Sequence, residues 1–366
     1  MLAASGRDFV LRSCPMARVR DIVQDPTGFD RNLWDEMRAL GWCGLATAEA
    51  YGGAGRGILE LALLCEALGR GPLPSPLVVS TTLAALPIAW IGTDGQRARW
   101  LPALASGAAI GTMAILEPGH RDEWSPARLV GGATLRGQKV AVPWAGVANI
   151  MIVRAADGLY LVEPDPATVA IERHRDLGAE PLFAVEFRDA AAERLGGERG
   201  EGVEDADMEE AGGGDHHDRA FRRSVDCAAV AQLAYAVGAA ERTLEMTLAY
   251  ACDRRQFGRP IGSFQAVAHR CVDMRTDLDA CRYLMYRAAW ALDRNPSLEL
   301  DVASALAYGT DALRRLFMHA HQVHGAIGFS TEHDLHLYTR AAKASELLYG
   351  SASHHLETVA TAMGLG

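Results

Sequence analysis

The chain has 366 residues, 36 basic and 46 acidic side chains, and a mean hydropathy of zero. That length is too great for one hydrophobic core and predicts two or three compact units, and 49% apolar residues exclude wholesale disorder. A net charge of −10 with no basic stripe excludes a nucleic-acid footprint, and no apolar run reaches the roughly 18 residues that a membrane span needs.

In chain order, residues 1–112 read as a helical domain. The opening is broken by Arg7, Asp8, Arg12 and Arg18 and makes a poor signal peptide. In FDRNLWDEMRALGW, residues Phe29, Leu33, Met37 and Leu40 recur at helical spacing. In ILELALLCEALGR, residues Leu59, Leu63 and Leu68 share one side, and Gly69 is placed to cap the helix end. The PLPSP segment then interrupts, and TDGQRARWLPALASG predicts a turn and a short helix.

From 113 to 198 the period shortens. TLRGQKVAVPWAG, ANIMIVRA, GLYLVEP, ATVAIER and LFAVEFRD are short alternating or β-branched runs separated by turn residues, which predicts a small antiparallel sheet or barrel. Residues 199–220 form an acidic, glycine-rich linker, with eight acidic and no basic side chains between 201 and 218. His216 and His217 adjoin those carboxylates, but such a tract reads as a solvated linker and not as a metal site.

From 221 to 366 long helical segments are expected, at about 222–252, 263–288, 299–323 and 333–364. In the second, Phe264, Val267, Cys271, Met274, Leu278, Cys281 and Met285 recur every three or four residues, and Asn295-Pro296 ends it. Four such segments predict an antiparallel four-helix bundle, so the fold class is α+β. Seven cysteines without a CxxC pair argue against a disulfide framework and a zinc site, and a reduced cytoplasmic protein is the default expectation.

Two stretches are more specific. One is Arg254-Arg255-Gln256-Phe257-Gly258-Arg259-Pro260-Ile261-Gly262-Ser263-Phe264-Gln265, followed by His269 and Asp273-Met274; the other runs from Gln322-Val323-His324-Gly325-Ala326-Ile327-Gly328-Phe329 to Arg340. Together they resemble the C-terminal signatures of the acyl-CoA dehydrogenase family. GWCGLATAEAYGGAGRGILELALLCEALGRG resembles that family's N-terminal domain, and the α–β–α domain order matches as well. The resemblance implies FAD as cofactor and α,β-desaturation of an acyl-CoA thioester. A carboxylate takes the α proton on the face opposite the flavin, while the thioester carbonyl is hydrogen-bonded to stabilise the enolate. It also implies that each FAD lies between subunits, its ring on one chain's β domain and its pyrophosphate and adenine on a neighbour's bundle.

Taken residue by residue, the resemblance implies that Arg254 pairs with the pyrophosphate, Phe257 packs near the adenine, and Gln265 and Gln322 hydrogen-bond the cofactor. Gly325 would admit the backbone closely. Gln256 and Ser351 are counted among the cofactor contacts too. Phe257 could equally be plain core, and Gly325 a helix end.

The ring-binding half departs from the pattern. Where a small polar pair should follow Glu117-Pro118-Gly119, the chain has His120 and Arg121; where an aromatic and a hydroxyl residue should follow Gly137-Gln138-Lys139, it has Ala141 and Pro143. Trp144, on the opposite strand face from Pro143, is no substitute. Tyr349 holds the position of the usual glutamate base, and a phenol is a poor base near neutral pH. Ala228 holds the position some members use instead, with Asp226 facing elsewhere on that helix, and Glu346 is a weak remaining candidate.

One half-site kept and one lost predicts the non-catalytic partner in a heteromeric (α2β2-like) acyl-CoA dehydrogenase, of the kind actinobacteria use on steroid side chains. The expected partners are a homologous subunit that carries the catalytic glutamate and most of the acyl-CoA, and an electron-transfer flavoprotein or similar acceptor. The alternatives are a self-sufficient homotetramer with an atypical base, and a scaffold without cofactor contact.

Overall fold

The computed structural model describes residues 1–175, 178, 180–197, 216–294 and 299–365, so most of the expected acidic linker lies outside the described residues. Helices α1 (Leu2–Ser13), α2 (Met16–Gln24), α3 (Arg31–Ala39), α4 (Ile58–Gly69), α5 (Leu77–Val79), α6 (Leu86–Ile91) and α7 (Asp94–Ala105) come first, with a π-helical stretch, Ser80–Ala85, joining α5 to α6. Local chemistry sets their starts. The Asp30 carboxylate accepts from Leu33 N at 3.1 Å to cap α3, and Thr93 and Gln96 cap α7 reciprocally.

Helix α4 corrects the expected stripe: Leu61, Leu64, Cys65 and Leu68 are buried, whereas Leu59 and Leu63 are half-buried. The helix is apolar almost all round, so periodicity alone does not pick its face. Gly69 is not the cap but the last residue of the helix, with Arg70 capping in a right-handed conformation. It is small because α8 (His216–Asp253) crosses there: a Cβ on Gly69 would overlap the Tyr235 carbonyl oxygen, and one on Gly238 the Glu66 carbonyl oxygen.

Strands β1 (Gly111–Ala114), β2 (Thr134–Pro143), β3 (Ile150–Ala155), β4 (Gly158–Val162), β5 (Val169–Arg173), β6 (Leu182–Ala191) and β7 (Glu193–Arg194) form two sheets, ordered β1-β3-β4-β7 and β2-β6-β5. Every pairing is antiparallel except β1 with β3. Leu135, Val142, Met151, Val153, Val185 and Phe187 belong to the apolar core of this domain.

Helix α8 has 38 residues, and every residue from Cys227 to Ala240 is buried, as expected of an axle with neighbours on all sides. The hairpin β8 (Arg255–Gln256) and β9 (Arg259–Pro260) leads into α9 (Gln265–Arg294) and α10 (Glu299–His324), which pack on α8. The expected fourth helix is two, α11 (Leu335–Leu347) and α12 (Ala352–Ala362). Between them Tyr349 and Gly350 have φ of +63° and +103°, values no helix continues through. On α9, Met274, Leu278, Cys281 and Met285 are buried, but Phe264, Val267 and Cys271 are not enclosed, because that end stands clear of the bundle. No helix of the described residues is long and apolar enough to cross a membrane.

Candidate functional site

The first signature folds as a tight hairpin at the end of α8. Gln256 pairs with Arg259, leaving Phe257 (φ +52°) and Gly258 (φ +81°) as the two turn residues, both left-handed. Gly258 takes that conformation freely, whereas a bulky side chain at positive φ is a strained outlier of the sort found at functional sites. Phe257 is also 92% exposed and touches Phe264 only edge-on, at 6.1 Å. It is therefore not core.

The Arg259 guanidinium lies 4.1 Å over the Phe264 ring. The Arg254 backbone donates to the Tyr250 carbonyl and accepts from Ile261 N, both at 2.8 Å, so its exposed side chain stands at a fixed place beside the tip. Gln265 is exposed at the first turn of α9. The Gln256 amide donates to the Arg255 carbonyl at 2.8 Å.

The second signature closes α10. Gln322 is exposed on its last turn, and Gly325 follows at φ +64°, where an added Cβ would meet nothing within 4 Å. Gly325 thus presents bare backbone to open space. His324, between them, stacks on Tyr250 at 4.7 Å between ring centroids and so ties this signature to the hairpin.

Tyr349, at the expected base position, stands elsewhere. It is 4% exposed, and burial, with the charges of Glu180 and Glu123, pushes its phenol well above the ordinary value. Its backbone N–H donates to Glu123 Oε1 at 3.1 Å and its carbonyl faces His355 Nε2 at 3.1 Å. Glu123 belongs to the segment after β1, which is clamped across the bundle: Trp124 stacks on His354 at 5.1 Å and meets Phe221 edge-on at 6.0 Å. Arg154 donates to the Glu123 and Ser125 carbonyls. Ser351 uses its hydroxyl to cap α12, accepting from His354 N at 3.2 Å. Ala228 is fully buried in α8.

Sequence reasoning missed two carboxylates here. Glu123 is one. The other is Glu180, whose carboxyl is enclosed between α4 and α8 although part of the residue reaches the surface; among the described residues nothing hydrogen-bonds its Oε2. Burial pushes that carboxyl up to about 7, against the Gln232 amide. The space around it, bounded by Met37, Cys65, Leu68, Gln232 and Tyr235, amounts to about 10 Å³. That is barely one water and no room for an acyl chain. Nothing in the run Gly178–Leu182 alternates in a way that marks Glu180; only its proline neighbour hints at a turn. Glu346 is half-buried, paired with Lys343 at 2.6 Å, and lines a 720 Å³ hollow between α8, α10, α11 and α12.

The β domain has turned the matching motifs inward. Lys139 is fully buried, donating to the Ile115 carbonyl and to Glu117 Oε1 at 3.0 and 2.9 Å, while Glu117 also accepts from the Arg128 and Leu129 amides. Burial opposes the charge on Glu117, but the Leu129 amide and Lys139 outweigh it and hold the carboxyl down to about 2. A register shift between Lys139 and Val142 puts Ala141 at φ +51°, its N–H on His174 Nε2 at 3.3 Å. The Pro143 carbonyl takes the Thr112 hydroxyl at 2.5 Å, and Trp144 is fully buried against Phe29.

The residues present therefore fit one end of the implied FAD. Exposed arginines, two amides, an uncovered aromatic and bare glycine backbone can receive a pyrophosphate and adenine from outside the chain. The Ala141 N–H and the Pro143 carbonyl are already paired within the chain, with His174 and Thr112.

A sequence profile described as "Acyl-CoA dehydrogenase, N-terminal domain" matches residues 1–108, and one described as "Acyl-CoA dehydrogenase, C-terminal domain" matches residues 219–364. The chain is 30% identical to the acyl-CoA dehydrogenase IpdE2 of Mycolicibacterium smegmatis, over 92% of this chain and 90% of that protein. It is also 30% identical to the acyl-CoA dehydrogenase FadE27 of Mycobacterium tuberculosis, over 94% and 91%. Among solved structures, it superposes on the ChsE4-ChsE5 complex from Mycobacterium tuberculosis with a TM-score of 0.86, 28% identity and coverage of 100% of this chain and 96% of that one. A variant of the Tcur3481-Tcur3483 steroid ACAD gives a TM-score of 0.87 at 28% identity, with coverage of 99% and 96%.

Proposed function

Since the chain belongs to the acyl-CoA dehydrogenase family, we propose that it is the non-catalytic subunit of a heteromeric enzyme that desaturates an acyl-CoA thioester. The cofactor is FAD, which accepts a hydride at its flavin ring when bound. In this reading Arg254 neutralises the pyrophosphate, Phe257 covers the adenine end, Gln265 and Gln322 hydrogen-bond the cofactor, and Gly325 lets it approach the backbone. The flavin ring, the base and most of the acyl-CoA belong to the sister chain, and the electrons pass to an acceptor of the electron-transfer flavoprotein type.

One observation carries the reading: the base position holds a buried phenol whose backbone is pinned by Glu123 at 3.1 Å. A phenol held neutral and enclosed is a poor acceptor for a substrate proton. Two of the structural neighbours are a two-protein complex and a steroid ACAD, which supports a paired assembly and a bulky polycyclic acyl-CoA. The test is to express the chain alone and with an acyl-CoA dehydrogenase-like sister chain, counting flavins. One FAD per chain pair, and none on the isolated chain, is expected; one FAD on every isolated chain with enoyl-CoA formation would overturn the reading.

A second reading, a self-sufficient enzyme, has Glu346 in its favour, a carboxylate that lines the 720 Å³ hollow. It predicts that Glu346→Gln abolishes turnover by the isolated chain.

A further inference from the structure

The two signatures come from chain segments some 60 residues apart, and each carries only part of the grip on a dinucleotide. The helices that carry them pack along their length, and at the signatures themselves they meet through a ring contact. His324 is 4% exposed and lies 4.7 Å from the Tyr250 ring at an interplanar angle of 21°. Tyr250 is on the last turn of α8, and its carbonyl accepts the Arg254 N–H, so the tyrosine that meets His324 also fixes the backbone of Arg254. On the other side, His324 is flanked in sequence by Val323 and Gly325, with Gln322 one residue further back.

The imidazole is itself locked. Nδ1 lies 2.8 Å from the Ala320 carbonyl, one turn back on α10, and His333 meets the ring edge-on at 5.0 Å. Burial lowers its pKa below that of a free imidazole, so the ring is neutral near pH 7. Among the described residues nothing hydrogen-bonds Nε2. A buried nitrogen left without a partner is a cost that a hydrocarbon ring would avoid, so the position uses the face of the ring and not its basicity.

We infer that His324 is a positioning residue: its stack on Tyr250 sets the spacing between Arg254 and Gln322 and so the affinity of the bundle for FAD. The inference rests on the half-site reading above. Aromatic pairs contribute about 0.5–1.5 kcal/mol beyond their burial, so loss of the stack should weaken FAD binding up to about tenfold.

The test uses the co-purified complex of this chain with its sister subunit, titrated with FAD after removal of the flavin. His324→Leu should weaken FAD binding several-fold, up to about tenfold, while His324→Phe, which keeps a flat ring, should stay within about twofold of the parent. Melting temperature, followed in parallel without flavin, separates spacing from folding: the inference requires Leu and Phe variants of matched stability to differ in affinity. Equal affinity in both, or a loss in both that tracks melting temperature, overturns it. Arg254→Ala is the control for the underlying reading. If it loosens FAD while His324→Leu does not, only the positioning role falls. If neither changes FAD binding, the half-site itself is refuted and the positioning role with it.

Discussion

Glu123 and Tyr349, 226 positions apart in the chain, are joined by a hydrogen bond from the Tyr349 backbone N–H to Glu123 Oε1 at 3.1 Å. The contact fastens a β-domain segment to the break between α11 and α12, at the position that the resemblance assigns to the base. Glu123→Ala should leave the buried Tyr349 N–H without an acceptor and destabilise the chain by about 1–3 kcal/mol. Urea unfolding followed by tryptophan fluorescence measures this, and an unchanged midpoint would show the contact to be dispensable.

On the half-site reading, an acid placed at position 349 should not create chemistry. Tyr349→Glu puts a carboxyl into an enclosed site with no cation beside it among the described contacts, so the acid stays protonated or the fold loosens by several kcal/mol, roughly 3–5. Assayed with FAD and acyl-CoA thioesters of graded chain length, the isolated variant should form no enoyl-CoA and should melt below the parent.

Stability should fall as pH rises through the neutral range. Glu180 has a folded value of about 7 against 4.5 for an ordinary glutamate. A raised value means the folded chain prefers the proton, so the full stability is present below pH 4.5 and is lost progressively up to about 7. The difference is worth about 3 kcal/mol. Glu180→Gln, uncharged throughout, should remove this slope; denaturant titrations at pH 5, 6, 7 and 8 would show parallel curves for parent and variant if Glu180 is not the cause.

Phe257 should respond with opposite signs to two measurements. Phe257→Gly removes a bulky side chain from a left-handed turn and should stabilise the isolated chain by about 1 kcal/mol, while lowering the flavin retained by the two-chain complex. A parallel fall in both would make Phe257 an ordinary packing residue.

The crossing of α4 and α8 tolerates no side chain. Gly69→Ala or Gly238→Ala would drive a methyl into a backbone carbonyl on the facing helix. With backbone on both sides unable to yield, a cost of about 3 kcal/mol or more is expected, visible as loss of soluble protein or a much lower melting temperature.

The order of helices, strands and helices was legible because periodicity is a local property, and the hairpin signature was legible because its residues lie side by side. The face of α4 was not: a helix with Leu59, Leu61, Leu63, Leu64 and Leu68 offers apolar groups in every direction, and only the docking of α8 decides which are enclosed. Glu123 and Glu180 could not be read at all, since a carboxylate becomes unusual only through what folds around it. The break at Leu348–Ser351 was hidden by the apolar and small residues on either side, which suit a continuing helix. Parallel pairing of β1 with β3 was equally out of reach, because a four-residue strand carries no mark of its direction of pairing.

The uncovered ring at the hairpin tip also has a bearing on supply. On the paired-subunit reading, a newly made copy without a partner shows a large apolar group on a strained loop, the kind of feature that chaperones and proteases act on. Balanced synthesis of the two polypeptides would then matter more than abundance of either, and in a pulse-chase experiment the singly produced chain should turn over faster than the pair.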